Sequence, residues 1–213
     1  MVLAKFRNSG QTCVTANRIY VQSGVYDKFV KAVTEKVKTL KVGCGTEEGV
    51  FVGPLTHERA VEKAMNHIKD AKKHGGQVVL GGKPYDDGGR LKGYFIEPTI
   101  ITGMKKEAIT TREETFAPVL ALYRFDTEEE VLELANDCDV GLGGFIITES
   151  IPRMWRLVEA LEVGMVGVNL GLLSACESPF GGVRASGYGR EGGKQGIEEY
   201  MTVKSMLINV SNG

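Results

Sequence analysis

The chain has 213 residues, 42% hydrophobic and 25% charged, with a formal net charge of −1 at pH 7. That balance belongs to an ordinary globular protein with one sizeable core, and it excludes nucleic acid as the expected main partner. No apolar run approaches the ~18 residues of a transmembrane helix, and Cys13, Cys44, Cys138 and Cys176 are too scattered for a disulfide framework or a zinc site.

Strands and helices alternate along the sequence, the α/β signature. Residues 17–22, rich in β-branched and aromatic side chains, read as a strand. Residues 25–40 place Val25, Phe29, Val30, Val33, Val37 and Leu40 near helical spacing. After a glycine-rich turn and Gly53-Pro54-Leu55, Thr56 is expected to cap a helix over residues 58–73, ended by Gly75-Gly76. Residues 77–80 read as a short buried strand, 81–93 as a polar loop, and the run ending at Ile100-Ile101 as another strand. A further strand is expected over 119–125. Thr127 with Glu130 forms a capping-box pattern for a helix reaching Asn136. Strands at 143–148 and 165–170 bracket a helix at 151–161, with Pro152 in its first turn. Residues 171–187 read as irregular and 201–210 as a final strand. The basic stretches 36–41 and 69–73 fall within helical patterns and read as solvated faces. Four or five parallel strands with crossover helices predict a three-layer sandwich.

The segment Phe6-Arg7-Asn8-Ser9-Gly10-Gln11-Thr12-Cys13 sets a cysteine behind small residues. Such a thiol can oxidise an aldehyde through a hemithioacetal and a thioester. The nucleophile must be a thiolate, and a free thiol with pKa ~8.5 needs help from backbone N–H groups or a base. Gly10 opens backbone conformations closed to other residues, and the small side chains leave room for a carbonyl. Taken alone, Cys13 reads first as a small buried hydrophobe, the commonest fate of a free cysteine. Other motifs follow in order: Gly53-Pro54-Leu55, Gly93-Tyr94-Phe95-Ile96-Glu97-Pro98-Thr99, Glu113-Glu114-Thr115-Phe116-Ala117-Pro118-Val119, Gly164-Met165-Val166-Gly167-Val168-Asn169, Ser178-Pro179-Phe180-Gly181-Gly182, then Gly189-Arg190-Glu191-Gly192-Gly193 and Tyr200.

Together these motifs resemble the aldehyde dehydrogenase superfamily, most of all its succinate-semialdehyde branch, from Ala4 to about Val210. The resemblance implies the family's catalytic domain over residues 1–198 and a C-terminal oligomerisation strand and tail over 199–213, with a homo-oligomer formed through that strand. It places Cys13 on the nucleophile, with its own N–H as half of an oxyanion hole. It places Glu114 on the acid that holds the nicotinamide ribose of NAD or NADP, and Phe116 on the aromatic beside the nicotinamide. Arg7 and Ser174 fall on residues that hold the substrate's distal carboxylate, a task suited to a guanidinium fork. Phe180 falls on the wall of the substrate tunnel. Succinate semialdehyde is the expected substrate and glutarate semialdehyde the next.

Two departures stand out. Ala117 occupies a position where many members have glycine. Thr15 stands where some carry a second cysteine that forms a reversible disulfide. The family's cofactor-binding domain, its oxyanion asparagine and its general-base glutamate precede the nucleophile, so none is expected within these residues. The catalytic portion of a dehydrogenase, incomplete alone, is the first expectation, and a non-enzymatic oligomerising remnant the second. A working thiolate suits a reducing compartment, cytoplasmic or mitochondrial matrix, and no secretion signal is expected before Phe6.

Overall fold

Val119-Leu120-Ala121-Leu122-Tyr123 is apolar at every position, a run that only a strand covered on both faces can bury. The computed structural model describes residues 1–210 and bears this out. The chain runs α1 (Val2–Phe6), β1 (Ile19–Gln22), α2 (Tyr26–Lys38), β2 (Lys41–Val42), β3 (Val50–Val52), α3 (Glu58–Lys73), β4 (Gln77–Leu80), β5 (Thr99–Thr102), β6 (Val119–Phe125), α4 (Glu128–Asn136), β7 (Val140–Gly141), β8 (Gly143–Ile146), α5 (Ile151–Ala160), β9 (Met165–Val168) and β10 (Val183–Arg184).

The main sheet has the order β1-β6-β5-β4. β6 is parallel to both neighbours, with Ile19 opposite Leu122 and Thr99 opposite Val119. β4 runs antiparallel to β5. Alternate residues of β6 serve opposite cores, as the period of a strand requires. Leu120 and Leu122 join Ile19, Val21 and Ile100 against Val33 and Val37 of α2. Val119, Ala121 and Tyr123 join Ile101 against Ala64, Ile68 and Ala71 of α3. The result is helix, mostly parallel sheet, helix: the expected α/β sandwich.

The strands are not all in one sheet. β8 and β9 form a separate parallel pair, with Gly143 opposite Met165. Glycine in both strands makes room for Leu173, whose side-chain methyls would stand 2.5 or 2.7 Å from a Cβ on Gly143 or Gly167.

Other expectations need correction. The cap of α3 is His57, whose Nδ1 accepts from the Ala60 N–H at 3.1 Å, and not Thr56. β4 is not fully buried: as the sheet's edge it alternates, with Gln77 and Val79 exposed. Short pairs form where loops were expected, β2 with β3 and β7 with β10. Residues 2–6, unassigned from sequence, form α1. Residues 201–210 form no strand and lie exposed. Residues 211–213 of the expected tail lie outside the described residues. Among the described residues no helix is long and apolar enough to cross a membrane.

Candidate active site

Parallel neighbours bring the segments that enter them to the same end of a sheet. The thiol segment leads into β1 and the Glu114 segment into β6, so the two loops meet there. A Cβ added at Gly10 would lie 2.3 Å from the Ala117 carbonyl oxygen and 2.9 Å from the Pro118 nitrogen. Backbone therefore lies directly on backbone at this point, with φ of 75° at Gly10.

The loop before the thiol is strained and tightly held. Asn8 and Ser9 adopt φ of 51° and 58°, left-handed values that cost non-glycine residues about 1–3 kcal/mol each. The Ser9 hydroxyl donates to the Gly53 carbonyl at 3.0 Å and accepts from the Gly53 N–H at 2.9 Å. The Gln11 side chain donates to the Pro54 carbonyl at 3.3 Å and accepts from the Thr56 N–H at 3.0 Å. The Leu55 N–H in turn donates to the Tyr94 carbonyl at 2.9 Å. Three motifs separated in sequence thus clamp one loop.

Beyond this clamp the Thr15 N–H donates to the Thr12 carbonyl at 2.8 Å, closing a turn with Cys13 and Val14 at its tip. Cys13 is exposed. Among the described residues its N–H has no acceptor. A thiol and a free N–H on one residue can present a nucleophile and an oxyanion donor to the same carbonyl.

Across the contact, burial alternates: Thr115 and Ala117 are buried while Glu114 and Phe116 are exposed. The two outward side chains therefore leave the loop on its solvent side. Partial loss of hydration pushes the Glu114 carboxyl above the usual carboxylate range, against the pull of Lys63 and Lys5. Phe116 has φ of 53°, a third strained non-glycine residue at the site.

Arg7 follows α1 and lines a water-sized cleft with Thr12, Val14, Thr15, Gly171 and Leu172. It forms no ion pair among the described residues. Arg7 and the thiol turn thus share one cleft with the loop after β9. Ser174, exposed on that loop, does not line the cleft. Phe180 is half-buried, paired with Glu191 through two backbone bonds of 2.6 and 2.8 Å, and lies outside the cleft as well. A cavity of about 250 Å³ opens beside Tyr20 and Tyr123, at the opposite ends of β1 and β6, and contains none of the candidate residues. Among the described residues no cluster of His, Cys, Asp and Glu could hold a metal ion.

Sequence reasoning passed over three residues near the loops. Asn17 opens the expected first strand. His67 sits on a helical stripe and is 2% exposed. Lys5, 1% exposed, lies within an apolar helix turn. Burial pushes the Lys5 ammonium down to about 8 from 10.5, with Glu114 opposing the shift. Its charged form is disfavoured by folding, so stability should rise with pH between 8 and 10.5 as the proton leaves. We expect Lys5→Met to be more stable than the parent by roughly 3 kcal/mol at pH 7. Urea unfolding should show the gap closing by pH 10.5, and a gap independent of pH would contradict the shift.

Residues 1–206 match the profile described as Aldehyde dehydrogenase family. The chain is 52% identical over 209 residues to succinate-semialdehyde dehydrogenase [NADP(+)] 1 of Schizosaccharomyces pombe, covering 98% of this chain and 41% of that protein. It is 47% identical over 209 residues to glutarate-semialdehyde dehydrogenase of Pseudomonas putida, covering 98% of this chain and 42% of that one. The crystal structure of succinate-semialdehyde dehydrogenase from Burkholderia pseudomallei matches with a TM-score of 0.90 at 47% identity, covering 93% of this chain and 40% of the other. The chain therefore spans about two fifths of the length of the curated relatives it matches.

Proposed function

The chain belongs to the aldehyde dehydrogenase family, and we propose that it is the thiol-bearing portion of a nicotinamide-dependent enzyme that oxidises succinate semialdehyde to succinate. One observation carries the substrate class: the Arg7 side chain, without an ion pair among the described residues, lines the cleft that the Cys13 turn borders. A substrate with a carboxylate at one end and an aldehyde at the other matches that pairing of cation and thiol. The second reading, a glutarate-semialdehyde dehydrogenase, is favoured by the 47% identity to the Pseudomonas putida enzyme. The cleft holds only about one water, so further walls must come from outside these residues.

In this reading the Cys13 thiolate adds to the aldehyde carbon, and the Cys13 N–H donates to the developing oxyanion. A bound nicotinamide would supply the hydride acceptor. Loss of hydride from the carbon leaves a thioester on Sγ, and attack by water releases the acid and restores the thiol. The residues present fit the nicotinamide end of NAD or NADP. The Glu114 carboxylate offers two acceptors for a ribose diol, and Phe116 offers an aromatic edge on the same solvent side. The choice between the two cofactors would rest on residues that hold the adenosine end.

We also propose residues 1–198 as the catalytic unit and 199–213 as the segment that meets a second subunit. Met201, Val203, Leu207 and Ile208 are exposed apolar side chains that a partner strand would cover.

The test is kinetic, on a protein that also carries the upstream residues its relatives possess. Arg7→Ala should raise KM for succinate semialdehyde roughly 100-fold and leave butanal unchanged. An equal loss on both aldehydes would remove Arg7 from the carboxylate site. A higher kcat/KM for glutarate semialdehyde would favour the second reading.

A further inference from the structure

Cys13, Glu114 and Phe116 lie about a hundred residues apart, and a two-step reaction needs them in fixed relation. One contact has already been described, Gly10 against Ala117 on the entry side of the thiol turn. The exit side is tied by Asn17. Its Nδ2 donates to the Thr110 carbonyl at 2.9 Å and to the Glu113 carbonyl at 3.1 Å. Its Oδ1 accepts from the Thr115 N–H at 3.0 Å. Two carbonyls on one side and an N–H on the other fix which way the amide faces. The last two bonds bracket Glu114, one on the residue before it and one on the residue after.

Thr115 is anchored a second time. Its hydroxyl lies 3.1 Å from Nδ1 of His67 on α3. Nε2 of the same ring, otherwise without a hydrogen-bond partner, faces the Glu113 carboxylate at 3.6 Å. Burial, with Lys63 nearby, holds the His67 pKa below its usual value, so the ring is neutral near pH 7. Thr115 is thus drawn into the core by its backbone and its side chain. With Thr115 and Ala117 held inward, Glu114 and Phe116 are the exposed side chains of the segment.

We propose that Asn17 is a positioning residue that latches the segment carrying Glu114 and Phe116 to the thiol turn, and so sets the nicotinamide end of the site relative to Cys13. This rests on the reading of Glu114 and Phe116 as cofactor contacts. The side-chain type is specific to the task. Aspartate keeps the shape and the acceptor for Thr115, but as a carboxylate it turns an oxygen toward two carbonyls. Alanine removes all three bonds.

The test uses the full-length protein with NAD or NADP and an aldehyde substrate. Asn17→Ala should raise the cofactor KM about 10-fold, leave the aldehyde KM unchanged, and keep kcat at saturating cofactor within about 2-fold. Asn17→Asp should move the same way, and it serves if the alanine variant does not fold. Hydrogen exchange of peptides spanning residues 110–118 should quicken about 10-fold in either variant, while β4 and β5 stay protected. Unchanged exchange in that segment overturns the latch. Faster exchange with an unchanged cofactor KM, in a protein where Glu114→Ala does raise that KM, overturns the positioning role. If Glu114→Ala and Phe116→Ala both leave cofactor KM unaltered, the reading of those two residues fails instead, whatever exchange shows.

Discussion

Cys13→Ser is expected to lower aldehyde oxidation at least about a thousand-fold while leaving the fold intact. The substitution changes one atom on an exposed turn. The turn is closed by the bond from the Thr15 N–H to the Thr12 carbonyl, which does not involve the side chain. What changes is the nucleophile: a hydroxyl has almost no anionic fraction at neutral pH, and no base among the described residues lies within hydrogen-bond reach of Sγ. Two of the other thiols are engaged elsewhere. The Cys138 sulfur is engaged by Arg18 at 3.1 Å and by the Val140 carbonyl at 3.1 Å. Cys44 contacts the Thr46 hydroxyl at 3.2 Å on the β2–β3 connection, and that bond holds its thiol below the usual range. Cys44 should therefore react readily with alkylating reagents, so labelling is a poor proxy for catalysis. Production of reduced nicotinamide, with both cofactors and in the presence of the upstream residues, is the decisive measurement. Turnover within ten-fold of the parent would move the chemistry off Cys13.

Much of this arrangement was legible in the sequence because its signals are local. The α3 boundaries match the span expected ahead of Gly75-Gly76, and Thr127 caps α4 as its spacing predicts, accepting from the Glu130 N–H at 3.2 Å. What stayed hidden was decided by partners distant in sequence. Thr56 looks like a cap until Gln11, 45 residues earlier, is seen holding its N–H. Once residues 53–56 are shaped by the thiol loop, the cap falls one residue later, on His57. Asn17 gives no local sign that its amide serves a segment 93 to 98 residues away. The tail shows the same limit: residues 201–210 have strand composition, but a strand exists only when it pairs, and among the described residues they pair with none. At the site, the motifs marked Cys13, Glu114 and Phe116 by resemblance, while the packing of Gly10 on Ala117 explains why the loops that carry them meet.

That contact yields the largest expected effect on stability. Gly10→Ala should destabilise the protein by roughly 4 kcal/mol or more, a loss reserved for severe steric or buried-polar damage. Two effects combine at this position. The first is conformational: φ is 75°, and an L-residue there gives up about 1–2 kcal/mol. The second is steric. The new Cβ would meet the Ala117 oxygen at 2.3 Å, its carbonyl carbon at 2.5 Å and the Pro118 nitrogen at 2.9 Å. All three are backbone atoms leading into β6, so no side chain can rotate out of the way. Gly49 separates the two effects. Its φ is 76°, but a Cβ there would meet nothing within 4 Å. Gly49→Ala should therefore cost only the conformational part, about 1–2 kcal/mol. Urea unfolding of the two variants side by side measures the difference, which is the steric cost of wedging a methyl between the two loops. Equal losses would mean that the thiol segment does not rest on Ala117. A large difference, with faster exchange at residues 114–118 in Gly10→Ala alone, would mean that the site is assembled by backbone contact before any substrate or cofactor binds.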